Sequence, residues 1–233
     1  MINHPLSGNE MKYLFRLIIF TALLSLSCKD GGNEKILSDL FEKSNSRYAL
    51  IVSKKDFTLT VYDRNMEIAA SCRIGYGSNP DMKAKLHEGD NRTPEGVYFI
   101  NEILSMDVSV NTEAYQKLKR MNQVYFRSSA GYNKFGNPGV DLGDNVYGPR
   151  FFGIDYPNSR DREKYAEALE QGKIPFVNGM PAKIGYGIAI HGNNDEKSVG
   201  NLSSSGCIRM FNRDIVEMDR YIDIGTPVII TGR

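Results

Sequence analysis

The feature of the sequence that most restricts the fold is a run of short segments in which apolar and polar residues alternate. After Arg47, "YALIV" (residues 48–52) and "FTLTVY" (residues 57–62) are separated by "SKKD", and "DRN" then leads into "MEIAASCRI" (residues 66–74). A period of two residues is typical of a β-strand with one buried face, and the polar breaks are typical of turns. The folded part of the chain is therefore predicted to begin as antiparallel strands.

The rest of the chain adds further strands and a few helices. The predicted elements are strands at residues 97–103, 186–190 and 226–231 and helices at residues 112–121 and 162–170. Asp161 is the expected N-cap of the second helix, and a C-terminal helix is expected to begin with Asn212 as its cap and to end at Gly225. Residues 131–158, rich in Gly, Asn and aromatic side chains, predict an ordered loop that covers a groove. The fold class is mainly β (α+β), a single domain with two or three short helices.

The N-terminus has the pattern of an export signal. Lys12 and Arg16 precede an apolar run at residues 17–26, which has the length of a signal-peptide core and is short for a membrane span. A small residue before Cys28, directly after this run, resembles a bacterial lipoprotein cleavage site at which the cysteine carries the lipid. The alternative is a plain secretory signal or a membrane anchor with an incidental cysteine.

These boundaries predict three parts of the chain. Residues 1–28 are a signal peptide with a lipoprotein-type cleavage site, residues 29–46 are a tether with one helical turn, and residues 47–233 are the folded domain. After export, Cys72 and Cys207 lie in an oxidising compartment, where they either form a disulfide or leave one of them as a working thiolate.

Charge and motif content exclude several classes of function. The formal net charge is +1 and no long Lys/Arg block occurs, so a nucleic-acid partner is not expected. The three histidines, His4, His87 and His191, and the two remaining cysteines lack the paired spacing of metal ligands. Dinucleotide and P-loop fingerprints are absent, and no cofactor is predicted.

His191 and Cys207 form the candidate catalytic pair. His191 ends a buried-looking strand and precedes Gly192, whereas Cys207 follows Gly206 in "SSSGCIRM" (residues 203–210). Only a thiolate attacks, and a neighbouring imidazole can take its proton and hold an imidazolium–thiolate pair. Gly206 removes a side chain beside the sulfur, and N–H groups near Cys207 can face an oxyanion. A single cysteine is, however, more commonly a small buried hydrophobe.

Several stretches carry a resemblance to a known family. "IAIHG" (residues 188–192), "SSSGCIRM", a following helix and "GTPVIIT" resemble the YkuD family of L,D-transpeptidases, and "DNRTPEGVYFI" is similar to that family's strand entry. "GIDYPNSRDREKY" resembles the branch that includes hydrolytic, peptidoglycan-trimming members. The likeness extends from about residue 47 to residue 231. It implies a β-sandwich-like L,D-transpeptidase catalytic domain in residues 47–233.

The resemblance also implies a reaction. Cys207 would attack the carbonyl of the third residue of a peptidoglycan stem peptide, a diamino acid, and expel the terminal D-amino acid. His191 would be the base, with its ring held by the carbonyl of Gly192, and Gly206 would belong to the oxyanion site. The acyl group would pass to an amine of a second stem peptide or of an envelope protein, or to water.

Three more residues match or depart from the family pattern. Ser204 matches a Ser/Thr near the Gly-Cys pair, and Arg209 either binds a substrate carboxylate or braces the loop. Ser205 stands where many members have a second His directly before Gly-Cys. All three are candidate substrate-binding residues.

Three functions therefore remain open. The first is a lipid-anchored L,D-transpeptidase of the cell envelope, either periplasmic or in the outer membrane, and the second is an L,D-carboxypeptidase or amidase of the same fold. The third is a non-catalytic envelope-binding lipoprotein, in which Cys207 pairs with Cys72 or is merely buried.

Overall fold

The computed structural model describes residues 31–124 and 145–232, and these form four α-helices and eleven β-strands. The elements are α1 (Gly31–Lys43), β1 (Tyr48–Ser53), β2 (Thr58–Asp63), β3 (Ile68–Gly77), β4 (Gly96–Ser105), α2 (Glu113–Val124), β5 (Arg150–Ile154), α3 (Ser159–Glu170), β6 (Phe176–Val177), β7 (Met180–Pro181), β8 (Ala189–His191), β9 (Leu202–Ser204), β10 (Ile208–Met210), α4 (Asn212–Glu217) and β11 (Pro227–Thr231). Short 3₁₀ turns occur at Glu196–Ser198 and Met218–Arg220.

Nine of these strands form one sheet that closes on itself. Their order is β10-β8-β5-β4-β11-β1-β2-β3-β9, and β10 pairs with β3 as well as with β8. Strands β6 and β7 form a separate two-stranded hairpin. The expected mainly β fold is confirmed, and its sandwich-like core is enclosed by a single closed sheet rather than by two separate ones.

The interior of the closed sheet is the main hydrophobic core. Alternate residues of neighbouring strands point inwards, among them Leu50, Leu59, Ile190 and Ile208, and none of these four side chains is exposed to solvent. Each such side chain contributes roughly 1.5–3 kcal/mol when it is fully buried. The period of two seen in the sequence therefore separates an inner face from an outer face of the sheet.

Helix α2 covers part of the outer face. Leu118 is fully buried against Leu104, Phe151 and Ala189, which belong to β4, β5 and β8. An ion pair between Lys117 and Glu102 ties the helix to β4 at its edge. This second, smaller apolar cluster fixes α2 over the strand that carries His191, and Cys207 packs against the same cluster.

Only the later part of the N-terminal segment is described by the structure. Residues 1–28, the predicted signal peptide with its lipidation site, lie outside the described residues. The predicted tether contains the 13-residue helix α1 rather than one helical turn. The chain divides into two compact units after Leu37, and the described part of the first unit is helical. No helix within residues 31–124 and 145–232 is long and apolar enough to cross a membrane.

The predicted cap of α3 was wrong by three residues. Asn158 is the N-cap, and its side chain accepts hydrogen bonds from the amides of Arg160 and Asp161. Asp161 completes a capping box by accepting the Asn158 N–H, and it also accepts the hydroxyl of Tyr98 at 2.9 Å. A buried carboxylate can satisfy both donors, which explains why Asp161 lies inside the helix.

The predicted limits of the C-terminal helix were also wrong. Asn212 is the first residue of α4, and Phe211 occupies the cap position without a side-chain hydrogen bond. The helix ends at Glu217 and continues as a 3₁₀ turn, well before Gly225. The side chain of Asn212 is used in the loop that follows His191, as described below.

Strand β5 lies in the segment that was predicted to be a loop. All five of its residues are buried, since both faces of the strand are covered, and no alternation is visible in "RFFGI". Residues 131–144 of the predicted loop lie outside the described part of the chain.

Candidate active site

The candidate catalytic pair is brought together by neighbouring parallel strands. β8 and β10 pair with Ile190 opposite Ile208 and His191 opposite Arg209. Cys207 directly precedes β10 and is therefore two residues from the partner of His191. Strand spacing and rise place the Cα atoms of such a pair roughly 8 Å apart, which His and Cys side chains can span.

Both residues lie on the outer face of the sheet. Ile190 and Ile208 point into the core, whereas Cys207 packs with Ala189 in the cluster beneath α2. Because successive residues of a strand point to opposite faces, His191 shares the face of Ala189 and Cys207. The thiol is partly exposed and the imidazole is only 3% exposed.

The His191 ring is held in one orientation. Its Nδ1–H donates to the carbonyl of Gly192, and the Phe151 ring stacks on it at 6.1 Å between centroids. Tyr147 meets the same ring edge-on at 4.9 Å. Since a carbonyl can only accept, Nδ1 carries the proton and Nε2 is left as the proton acceptor.

Burial sets the protonation state of His191. The pKa of the imidazole is lowered to about 4, mainly by burial; the Gly192 hydrogen bond raises it, and the nearby Arg209 cation adds to the lowering. The imidazole is therefore neutral at pH 7. Burial of the ring disfavours the imidazolium–thiolate pair that was expected from the sequence. The ring is instead a base that is free to take a proton.

The turn before Cys207 is closed by Ser204. This buried hydroxyl donates to the carbonyl of Cys207 at 2.6 Å and accepts the amide of Gly206 at 3.0 Å. The amide of Gly206 is therefore occupied and does not face an oxyanion in this structure. Ser204 therefore braces the turn through two main-chain hydrogen bonds. Ser205 is exposed on the same turn.

Gly206 is needed for a close backbone approach. Its φ is +138°, and a Cβ atom there would lie 2.8 Å from the carbonyl oxygen of Arg92. The carbonyl of Gly206 accepts the hydroxyl of Thr93 at 2.8 Å, and Thr93 accepts the amide of Gly77 at 3.0 Å. The "TPEG" stretch therefore holds the nucleophile turn against the end of β3.

Neither of the two cysteines in the described residues is in a disulfide. Cys72 packs against the main core, whereas Cys207 belongs to the outer cluster and its thiol donates to the carbonyl of Gly187 at 3.5 Å. The disulfide between them that the third function allowed is therefore wrong.

The loop after His191 is held by two asparagines. The side chain of Asn193 is buried, and its Nδ2 donates to the carbonyl of Met210. The main-chain N–H of the same residue donates to Asn212 Oδ1 at 2.9 Å. The Asn212 side chain also donates to the carbonyl of Asn193 at 2.8 Å. A Cβ atom on Gly192 would lie 2.9 Å from Pro149 and would overlap Asn212 Oδ1, so only glycine fits there.

Arg209 stands opposite His191 with an unsatisfied donor. The residue is half-buried, and its Nε is buried without a hydrogen-bond partner among the described residues. Burial lowers its pKa, although a guanidinium remains charged at pH 7. A buried N–H of a cation is costly to leave unpaired, so the group is suited to an incoming anion.

The described residues contain no group of three His, Cys, Asp or Glu side chains placed to hold a metal ion.

Two contributors to the site were not found from the sequence. Tyr147 stood in a glycine-rich stretch, and Asn193 followed His-Gly without an obvious role. Both residues lie among repeated Gly and Asn residues, and this composition is the sequence signal from which a tightly packed turn could have been predicted.

A partly exposed cysteine, two residues from the strand partner of a histidine whose ring is fixed by a carbonyl, is the arrangement that a cysteine nucleophile with a histidine base requires. The chain belongs to the YkuD family, because the model of the L,D-transpeptidase catalytic domain matches residues 47–230.

Individual relatives are similar over shorter spans. YqjB of Bacillus subtilis (strain 168) is 32% identical over 142 residues, which are 61% of this chain and 62% of YqjB. YkuD of the same strain is 45% identical over 49 residues, covering 21% of this chain and 29% of YkuD. The names of both assign them provisionally to the L,D-transpeptidases.

One solved structure that is similar is the helical cell shape determining protein Pgp2 from Campylobacter jejuni. It is 23% identical with a TM-score of 0.47, and the match covers 82% of this chain and 53% of that chain. The chain thus spans less than two thirds of these relatives. The family assignment rests on the family model and not on this structure.

The bracing role of Ser204 predicts the effect of Ser204→Ala. The change leaves the Gly206 N–H and the Cys207 carbonyl unpaired in a buried turn, which costs about 1–3 kcal/mol. We expect the free energy of unfolding in urea to fall by that amount. Ser205→Ala, at the exposed neighbour, is the control and should change it by roughly 0.5 kcal/mol at most. An unchanged stability together with a raised KM would instead indicate that Ser204 contacts substrate.

Proposed function

We propose that this protein is a peptidoglycan L,D-transpeptidase that acts through a thioester on Cys207. The observation that carries the proposal is the neutral His191, with Nδ1 bound to the Gly192 carbonyl and Nε2 free, on the strand beside Cys207. The match of the family model to residues 47–230 supports the substrate class.

In the first half-reaction the thiol of Cys207 attacks the carbonyl carbon of the third stem-peptide residue. Its proton passes to Nε2 of His191, because Nδ1 already carries a proton. The resulting imidazolium keeps its contact with the Gly192 carbonyl, which is favourable for the charged ring. The C–N bond to the terminal D-amino acid then breaks, and the leaving amine takes the proton from Nε2.

In the second half-reaction an amine or a water molecule attacks the thioester. His191 Nε2 accepts the proton of the attacking group, and the bond between carbon and sulfur breaks. The proton then passes from Nε2 to the Cys207 sulfur, which restores the thiol and the neutral imidazole. An amine acceptor gives a new amide and therefore a crosslinked or protein-bound stem peptide. Water gives a shortened stem peptide, which is the carboxypeptidase or amidase outcome suggested by the "GIDYPNSRDREKY" stretch.

Arg209 is assigned to a substrate carboxylate rather than to bracing of the loop. Its buried Nε has no partner among the described residues, and a stem peptide carries carboxylates that can accept from it. A guanidinium donates to a carboxylate through two parallel N–H groups, which would fix the direction in which the peptide enters. Ser205, exposed on the nucleophile turn, is assigned to the acceptor side.

The location that follows from this function is the cell envelope, where peptidoglycan lies. We assign Cys28 to a lipid anchor, on the periplasmic side or in the outer membrane, because the apolar run at residues 17–26 ends directly before it. An envelope protein is a candidate amine acceptor beside a second stem peptide.

Purified muropeptides test the proposed function. Tetrapeptide-bearing muropeptides are incubated with the protein, and the products are identified by mass spectrometry. We expect crosslinked dimers or shortened stem peptides with the native chain and neither with Cys207→Ala. Cys72→Ala is the matched control and should retain activity, since Cys72 packs in the main core away from the site.

Dimers support transfer, and tripeptides alone support hydrolysis. Equal turnover of muropeptides by Cys207→Ala and by the native chain would contradict the thioester mechanism. No turnover of any muropeptide by a folded native protein would favour the non-catalytic, envelope-binding function.

The low pKa of His191 predicts the acid side of the pH profile. The base is the neutral imidazole, which is lost as the pH falls through the folded pKa of about 4. We therefore expect kcat/KM to be nearly constant between pH 7 and about pH 5.5 and to decline only at lower pH. A decline centred near pH 6.5, the ordinary value for histidine, would contradict the burial of the ring.

The assignment of Arg209 predicts a change in KM more than in kcat. A hydrogen bond to a charged group contributes about 1.5–3 kcal/mol, so Arg209→Met should raise KM roughly ten- to a hundred-fold. Arg209→Lys keeps the charge but loses the planar pair of donors and should give a smaller rise. Arg213→Met, at an exposed cation on α4, is the control. Equal KM values for the native protein and Arg209→Met would contradict the substrate contact and would indicate that Arg209 braces the loop.

A further inference from the structure

The residues that contact the His191 ring are held in place in different ways. Phe151 and Arg209 stand opposite His191 in the register of β5 and β10, so the sheet itself fixes them. Gly192 follows His191 in the chain. Tyr147 is neither in the sheet nor next to His191 in the chain, since it lies in the turn at residues 145–149. Its position therefore needs a separate support.

That support is Asn122 on helix α2. Its side chain is 1% exposed, and its Oδ1 accepts the amide of Tyr147 at 2.9 Å while its Nδ2 donates to the carbonyl of Gly148 at 3.0 Å. Its main-chain carbonyl also accepts the amide of Asn145 at 3.3 Å. A primary amide is suited to this place because it offers a donor and an acceptor side by side.

The opposite side of the turn has no free space. A Cβ atom on Gly148, where φ is +64°, would lie 2.7 Å from the amide nitrogen of Asn193 and 2.8 Å from the carbonyl carbon of Gly192. The turn is thus confined between Asn122 and the loop that follows His191. Helix α2 is itself held against the sheet by the buried Leu118, so the position of Asn122 is fixed.

From these contacts we propose that Asn122 is a positioning residue for the reaction. It holds Tyr147 edge-on against His191 and so keeps water away from the imidazole. The proposal rests on the proposed function for its effect on rate. Its effect on the histidine itself is independent of any substrate.

Several groups can influence the protonation of His191. Among the described residues, the titratable or charged groups around it are Tyr147 on the turn, Cys207 and Arg209 at β10, and Asp195, which acts on Arg209. Asn122 carries no charge. A change in the pKa of His191 on replacing Asn122 would therefore report on the position of the turn and on hydration of the ring.

Asn122→Ala is the test variant, with Arg120→Ala, at an exposed position of the same helix, as its control. The pKa of His191 is measured by NMR titration of ¹⁵N-labelled histidine, and kcat and KM are measured with muropeptides. We expect the pKa in Asn122→Ala to rise from about 4 by about one unit or more towards its ordinary value. We expect kcat to fall roughly ten- to a hundred-fold with little change in KM.

Variants of Tyr147 test the same contact if Asn122→Ala does not fold. Tyr147→Phe keeps the ring and should leave the pKa of His191 near the native value, whereas Tyr147→Ala should raise it. In the double variant with Asn122→Ala, the two effects on the pKa should not add, because they act through one contact.

An unchanged pKa of His191 in both Asn122→Ala and Tyr147→Ala would overturn the proposal, even if stability falls. The NMR titration also distinguishes a failure of the proposed function from a failure of the positioning role of Asn122. A raised pKa without any muropeptide turnover by the native protein would leave the positioning role intact and remove the proposed function.

Discussion

The parallel pairing of β8 with β10 is the contact on which the rest of the structure depends. β10 pairs with β3 on its other side, so the same three-residue strand closes the sheet and places Cys207 beside His191. A slip of one residue would turn Ile208 outwards and Cys207 into the core. Closure of the fold and assembly of the site are therefore one event, and the hydrophobic core selects the correct register.

The second constraint is the burial of an imidazole that must still accept a proton. Water is excluded from the ring by Phe151 and Tyr147, and its Nδ1–H is satisfied by the Gly192 carbonyl. This arrangement disfavours the charged ring at rest, yet it leaves one hydrogen bond that stabilises the imidazolium when it forms. The surrounding loops, braced by Asn193, Ser204 and Thr93, use main-chain hydrogen bonds to hold that geometry.

The strands with a clear period of two, such as β1 and β2, could be predicted from the sequence to within a residue or two. β5 could not, since it is buried on both faces, and β9 and β10 could not, since three residues are too few to show a period. His191 and Cys207 could be proposed because their chemistry needs those residue types. Asn122 could not be found in this way, because an asparagine on a helix gives no sign of a partner 25 positions further along.

The hydrogen bond from Cys207 to the Gly187 carbonyl has a consequence for the order of events at the site. A carbonyl can only accept, so this bond directs the S–H group towards Gly187 at rest. The thiol must therefore turn from Gly187 towards Nε2 of His191 before its proton can be transferred. Oxidants and small electrophiles attack the thiolate form, so a sulfur that keeps its proton on this bond reacts with them more slowly.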